Sequence, residues 1–182
     1  DGVAIRDGAR LARLSALSVA VIVGRDSGVE TVLQYSCRDR NLLGIQSDLL
    51  GAHALGLRNV LGITGDVRNL GEIPDATAVF DVGSIGLTNV ISRLNHGLDI
   101  GGQAIGPPTR FHVGVMANPS RDVERELHRL EYKVEAGAEY IITRPVFDLA
   151  AFERFLKPVE RFGIPVIVGV WPFDSALHAE FM

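Results

Sequence analysis

Val60-Leu61-Gly62-Ile63-Thr64-Gly65-Asp66 is a short apolar run that stops abruptly in small and polar residues. A strand covered on both faces reads this way, because neither face is wetted and alternation is not required. Its C-terminal end delivers an acid, at the end of the strand where α/β barrels keep their chemistry.

The rest of the chain repeats this layout. Gly2 to Ile5 reads as the tail of a strand. Residues 9–23 read as a helix with Leu11, Leu14, Leu17 and Val21 on one stripe. Residues 31–36 are β-rich, and 42–55 form a helix stopping near Gly56. Residues 65–82, with Gly71, Pro74 and several acids, form a long loop before a helix over 85–94 that exits through Asn95-His96-Gly97. After an irregular segment holding Gly101, Gly102, Gly106, Pro107 and Pro108, residues 111–116 read as a strand. Ser120 is the expected N-cap of a helix reaching about Ala136, with Val123, Leu127, Leu130 and Val134 buried and Gly137 as its stop. A strand over 140–143, a helix over 149–162 and a strand over 165–170 follow.

That is six β–α units in strict alternation, which implies a parallel sheet. Two architectures fit, an open doubly wound sheet and a (β/α)₈ TIM barrel. No G-x-G-x-x-G follows the first strand, which weakens the dinucleotide fold. The barrel is favoured, as an incomplete six-unit portion lacking the first and last strands, since a closed barrel needs about eight. Residues 1–182 are read as one domain, part of a longer chain.

Composition narrows the class. The 182 residues are 47% hydrophobic, enough for a real core and against disorder. A net charge of −4 offers no electrostatic footprint for nucleic acid or an anionic membrane. No apolar run approaches the roughly 18 residues of a membrane span, and no signal peptide is visible. Cys37 is the only cysteine, which excludes an internal disulfide and suits a reducing cytoplasm, the expected location. His53, His96, His112, His128 and His178 lack metal-ligand spacing, so no metal is expected. His96 reads as a helix C-terminal residue, where an imidazolium suits the dipole. Cys37 beside Arg38 and Arg40 is either an activated thiol or a packed strand-end residue. Trp171 either walls a site or fills the core.

Five segments occur in an informative order: Y-S-C-R-D-R-N (35–41), G-L-R-N-V-L-G-I-T-G-D (56–66), V-F-D-V-G-S-I-G-L (79–87), K-V-E-A-G-A-E-Y-I-I-T-R-P-V-F-D (133–148) and G-I-P-V-I-V-G-V-W-P (163–172). Together they resemble the methylenetetrahydrofolate reductase family. The form they resemble most is the bacterial one fused behind a homocysteine methyltransferase domain. The resemblance covers nearly the whole chain, and K-V-E-A-G-A followed by T-x-P-V-F-D is its most specific signature.

The resemblance implies a flavin barrel that binds FAD. FAD would accept hydride from NAD(P)H and pass it, after the nicotinamide leaves, to 5,10-methylenetetrahydrofolate, giving 5-methyltetrahydrofolate. It carries Asp66 over as the carboxylate stabilising a cationic folate; by itself the residue also fits an N-cap. Gln34, Ile63, Thr64, Gly65 and Asp66 fall at flavin-side positions, and Gly65 lets the backbone approach a flat ring. Glu126, Arg129 and Lys133 share one helix face by spacing. In the family that face meets the ribose and phosphates of FAD; a solvated face is the plain alternative. Lys133 lies on the order of 20 Å from a helix start at Ser120, so FAD would have to extend along the helix. Arg144 and Phe147 fall where the family meets folate.

Departures gather on loops after strands. Gln34 stands for a His, Val67-Arg68 for Pro-Pro, Gly83 for an Asp and Arg144 for a Gln. Gln both donates and accepts at a pterin edge, whereas Arg only donates. The family's general acid, a Glu on the first strand, lies outside this chain. A divergent paralogue acting as a non-catalytic folate- or flavin-binding module is therefore the alternative. A lysine aldolase is disfavoured, because Lys133 and Lys157 both fall on helices. Oligomeric state is open, a homo-oligomer included, and the choice of NADH or NADPH carries no motif.

Overall fold

A computed structural model describes residues 1–8, 13–66, 77–120, 122–173 and 175. The order is β1 (Gly2–Ile5), α1 (Ala16–Ser27), β2 (Glu30–Ser36), α2 (Leu42–Ala54), β3 (Asn59–Ile63), α3 (Ser84–Asn95), β4 (His112–Ala117), α4 (Val123–Glu135), β5 (Tyr140–Pro145), α5 (Leu149–Val159) and β6 (Val166–Gly169). A 3₁₀ turn, Glu160–Phe162, extends α5.

All six strands are parallel and pair in sequence order. A doubly wound sheet reverses its order at a switch point. The unbroken order is instead the winding of a (β/α)₈ barrel, of which this curled sheet is a six-stranded portion.

Strand parity separates the two faces. Leu33, Val60 and Val113 stand in register on the helix side, as do Tyr35, Gly62, Val115 and Ile141. Gln34, Leu61, Gly114 and Tyr140 form a row on the opposite, inner face. The core forms in two clusters between sheet and helices. One joins α1, α2 and α3 to β2, β3 and β4 through residues such as Ala20, Ile45, Leu87 and Val60. The other joins α4 and α5 to β4 and β5 through Leu130, Phe155, Val115 and Ile141.

Helix boundaries follow their caps. Asn41 Oδ1 accepts the Gly44 N–H at 2.8 Å, and Asp148 Oδ1 accepts the Ala151 N–H at 2.9 Å. The first helix corrects the sequence reading of 9–23. Ser15 is its N-cap, accepting the Ser18 N–H, and Gly28 ends it at φ +69°. Leu14 therefore precedes the helix and is 65% exposed rather than in its buried stripe; Leu11 lies outside the described residues. Ser120 is likewise not the cap of α4. Asp122 holds that place, accepting the Arg125 N–H at 3.3 Å, while the Ser120 N–H turns back to Asn118 Oδ1. Gly137 is at φ +110° and ends α4 as expected. His96 closes α3, its Nδ1 donating to the Ser92 carbonyl at 2.7 Å. In the long loop, Val67, Arg68, Gly71 and Pro74 lie outside the described residues.

Candidate functional site

The C-terminal ends of the strands form one mouth, and its polar groups are built from the residues around them. After β1, Asp7 Oδ2 accepts the Ser36 N–H, the Ser36 hydroxyl at 2.8 Å and Arg40 Nη1 at 2.9 Å. Arg40 also donates to Asp48 Oδ2 at 3.1 Å, and its guanidinium lies 4.5 Å from the Tyr35 ring centroid. Tyr35 donates to the same Asp48 oxygen at 2.9 Å. This network ties the ends of β1 and β2 to helix α2. Burial pushes the Cys37 thiol up to about 11, so it is a packed strand-end residue and not an activated nucleophile.

Thr64, Gly65 and Asp66 leave β3 beside it. Gly65 sits at φ +92°, and a Cβ there would stand 2.9 Å from the Arg38 Cβ. Glycine is thus required by both conformation and space. Asp66 is exposed at this mouth. Thr64 Oγ1 accepts the Ser84 N–H at 3.1 Å, which caps α3 from outside. Gly83, its own N-cap residue, has no side chain to do so.

A cleft of about 550 Å³ opens between the first turn of α3 and the outer face of α4. Thr64, Gly83, Ser84, Ile85 and Gly86 line one wall, and His128, Arg129 and Tyr132 the other. The His128 and Tyr132 rings meet edge to face with centroids 4.8 Å apart. A smaller cavity of about 200 Å³ adjoins, lined by Asp122, Arg125, Glu126 and Arg129.

The three α4 positions that the spacing grouped differ in burial, although Glu126 and Arg129 both line the smaller cavity. Arg129 is exposed and faces the cleft. Glu126 and Lys133 are buried against β4, where Lys133 Nζ donates to the Met116 carbonyl at 2.6 Å and Glu126 Oε1 accepts the Asn118 N–H at 3.1 Å. The solvated-face alternative therefore fails for these two. Lys133 reaches β4 because a helical side chain slants toward the helix N-terminus and its stem is long. Burial draws its pKa down, with nearby Glu126 opposing.

The remaining candidates spread over the mouth. Ile63 is the last residue of β3, and Gln34 lies one layer deeper on the inner face, level with Leu61. Arg144 is exposed near the end of β5. Phe147, just beyond, stacks on Phe173 with centroids 5.0 Å apart, and both rings are half-exposed. Trp171, just past the edge strand β6, is half-exposed in this six-stranded portion. His128 and Tyr132 were not singled out as site residues by the sequence; as polar residues on a polar helix face they carried no signal. Among the described residues no three His, Cys, Asp or Glu side chains gather to hold a metal, and no helix is long and apolar enough to cross a membrane.

The fold and this mouth define a barrel of the kind whose enzymes work at the C-terminal ends of their strands. A solved structure of 2,3-dimethylmalate lyase shares that fold, with a TM-score of 0.55 and 10% identity over 91% of this chain and 60% of its own. The family model for methylenetetrahydrofolate reductase matches residues 1–182, and the chain belongs to that family. It is 24% identical to methylenetetrahydrofolate reductase 1 of Schizosaccharomyces pombe over 85% of this chain and 24% of that protein. It is 25% identical to methylenetetrahydrofolate reductase (NADH) 1 of Arabidopsis thaliana over 81% of this chain and 26% of that protein. The chain thus spans about a quarter of the length of these relatives.

Proposed function

We propose that this chain contributes the larger part of a closed barrel that reduces 5,10-methylenetetrahydrofolate to 5-methyltetrahydrofolate with NAD(P)H through bound FAD. The observation that carries the proposal is the cleft joining Thr64, at the end of β3, to Arg129 on α4. The family membership supplies the chemistry and the cleft supplies a place for it.

The donor set suits a phosphate-bearing dinucleotide. Arg129 brings a permanent guanidinium, His128 an imidazole and Tyr132 a flat ring. Gly65 lets the strand end approach a planar ring without a Cβ in the way. FAD held there by Arg129, His128 and Tyr132 would supply the hydride-transfer chemistry between NAD(P)H and the folate. Asp66 stands at the mouth, where its carboxylate would stabilise positive charge as the folate becomes cationic. Ile63 and Gln34 form the floor beneath it. Arg144 and Phe147 border the mouth from β5, where Arg144 donates to a pterin edge but cannot accept from it. The nicotinamide in the name of the Arabidopsis relative agrees with this co-substrate.

The test is the visible absorption of the full-length parent protein under anaerobic conditions. Flavin bands that bleach with NAD(P)H and return with 5,10-methylenetetrahydrofolate are expected. A colourless protein that takes up no added FAD overturns the proposal. A protein that binds FAD and folate without turnover is instead the non-catalytic module, a reading favoured by Arg144, Gly83 and Gln34 at their family positions.

A further inference from the structure

Strand β1 ends at Ile5, whose register partner is Leu33 and whose side chain packs on the helix-side core. The next residue, Arg6, therefore falls on the opposite, inner face, level with Gln34. The two strands stay aligned past this point, because Asp7 reaches the Ser36 N–H at 3.2 Å. Arg6 thus extends the inner row of Gln34, Leu61, Gly114 and Tyr140 by one strand. This row lies one layer below Ser36 and Ile63, about 7 Å along the strands. An arginine stem is long enough to lift its guanidinium through that layer.

The inner face of a barrel is filled by side chains, and an arginine there keeps its charge. Leu61 and Tyr140, in the same row, are buried. A guanidinium in such surroundings calls for an anion. The carboxylates described around the ends of β1 and β2 are committed elsewhere: Asp7 and Asp48 pair with Arg40, and Asp39 with Arg38. Among the described residues none pairs with Arg6, which is exposed.

The proposed reaction puts an anion at this mouth for half of its cycle. A hydride from NAD(P)H brings two electrons and one proton to the flavin ring, which gains one negative charge as NAD(P)⁺ leaves. The hydride then passes to the cationic folate, and the negative charge leaves the ring with it. We propose that Arg6 tunes this exchange, its guanidinium stabilising the negative charge of the reduced ring. The inference rests on the function proposed above. It has two opposite consequences. Arg6 favours hydride uptake from NAD(P)H, and it holds back hydride release to a folate that is itself cationic.

The experiment uses the full-length, FAD-loaded protein with Arg6→Gln, Arg6→Ala and Arg6→Lys. Flavin midpoint potentials are read against reference dyes, sulfite affinity from bleaching of the flavin band, and the two half-reactions by anaerobic stopped flow. Sulfite adds to the ring as an anion and leaves it negatively charged, so it probes the same stabilisation without turnover. Arg6→Gln is expected to lower the potential, weaken sulfite by about tenfold, slow bleaching by NAD(P)H and speed reoxidation by 5,10-methylenetetrahydrofolate. About tenfold is the scale of one unit charge acting over about 10 Å at an effective dielectric constant of about 20. Arg6→Lys stays close to wild type, because it keeps the charge. Arg6→Ala follows Arg6→Gln, and it decides the question if Arg6→Gln does not fold.

Loss of both half-reactions together, with potential and sulfite affinity intact, makes Arg6 a structural residue and overturns the inference. An unmoved potential with a shifted pH profile assigns Arg6 to a carboxylate instead and overturns it as well. A wild-type protein that takes up no FAD overturns the proposed function and this inference with it. Flavin uptake and turnover in wild type, with an unmoved potential in Arg6→Gln, overturns this inference alone.

Discussion

The hydroxyl of Thr64 accepts the backbone N–H of Ser84 at 3.1 Å, so a residue leaving β3 caps a helix twenty positions further on. Gly83 leaves that cap place without a side chain. Thr64→Val keeps the shape and removes the acceptor. It is expected to cost about 1 kcal/mol, the usual worth of an N-cap. Thr64→Ser should cost less than half of that. Urea denaturation of the three proteins checks the order; equal midpoints would show that the cap contributes nothing.

Gly114 is covered by the Tyr140 ring, and a Cβ built on it would stand 2.3 Å from the ring Cζ. Gly114→Ala is therefore expected to cost about 2 kcal/mol by overpacking. The Tyr140 hydroxyl is buried and makes no hydrogen bond among the described residues. Tyr140→Phe should then be neutral or stabilising at pH 7.

The same tyrosine shapes the alkaline limb of stability. Burial pushes Tyr140 from 10.0 up to about 12 and Cys37 from 9.0 up to about 11. Each holds its proton more tightly folded than unfolded. Their contribution is complete below the unfolded pKa and is lost as pH rises through the folded one. Stability should fall as pH rises from about 9 to 12, and that of Tyr140→Phe should fall less steeply between about pH 10 and 12. Identical slopes for the two proteins would rule out ionisation of Tyr140 as a source.

Arg40 is 17% exposed and Asp7 9%, and Asp7 also takes both donors of Ser36. Removing the cation leaves a carboxylate enclosed without its counter-charge. Arg40→Met is expected to cost about 3 kcal/mol. Arg40→Lys should recover little, since one ammonium cannot serve both Asp7 and Asp48 and lie flat on Tyr35. Thermal midpoints of the two variants decide this, and full recovery by lysine would refute it.

On the proposed assignment, Asp66 acts on the folate half of the reaction alone. Asp66→Asn should leave bleaching of the flavin by NAD(P)H intact. Reoxidation by 5,10-methylenetetrahydrofolate should slow by about 100-fold, the scale seen when one preorganised electrostatic partner is removed. Stopped-flow measurement of both halves is the check, and an equal loss in each would place Asp66 elsewhere.

Much of the architecture was legible because it is local. The apolar run ending at Ile63, the stop at Gly137 and the closing His96 each depend on a few neighbouring residues, and each was found where the pattern put it. The errors were local as well. Apolar periodicity carried α1 back across Ser15, although a serine there competes for the first-turn amides and wins as a cap. At α4, Asp122 outcompeted Ser120, which turns its own N–H to Asn118. The site was less legible. Glu126, Arg129 and Lys133 share a face by count, yet the rotation of α4 against β4 buries two and exposes one.

The sequence by itself determined the alternation of strands and helices, the parallel sheet that alternation requires and the strand ends that carry polar residues, because these follow from periodicity and punctuation within short windows. The tertiary structure alone decided that Thr64 caps α3, that Tyr140 lies across Gly114, and that Arg129 faces a cleft while Lys133 holds a strand. Those contacts join residues remote in the chain. Strand register and helix rotation set them, and packing of the whole sheet against its helices fixes both.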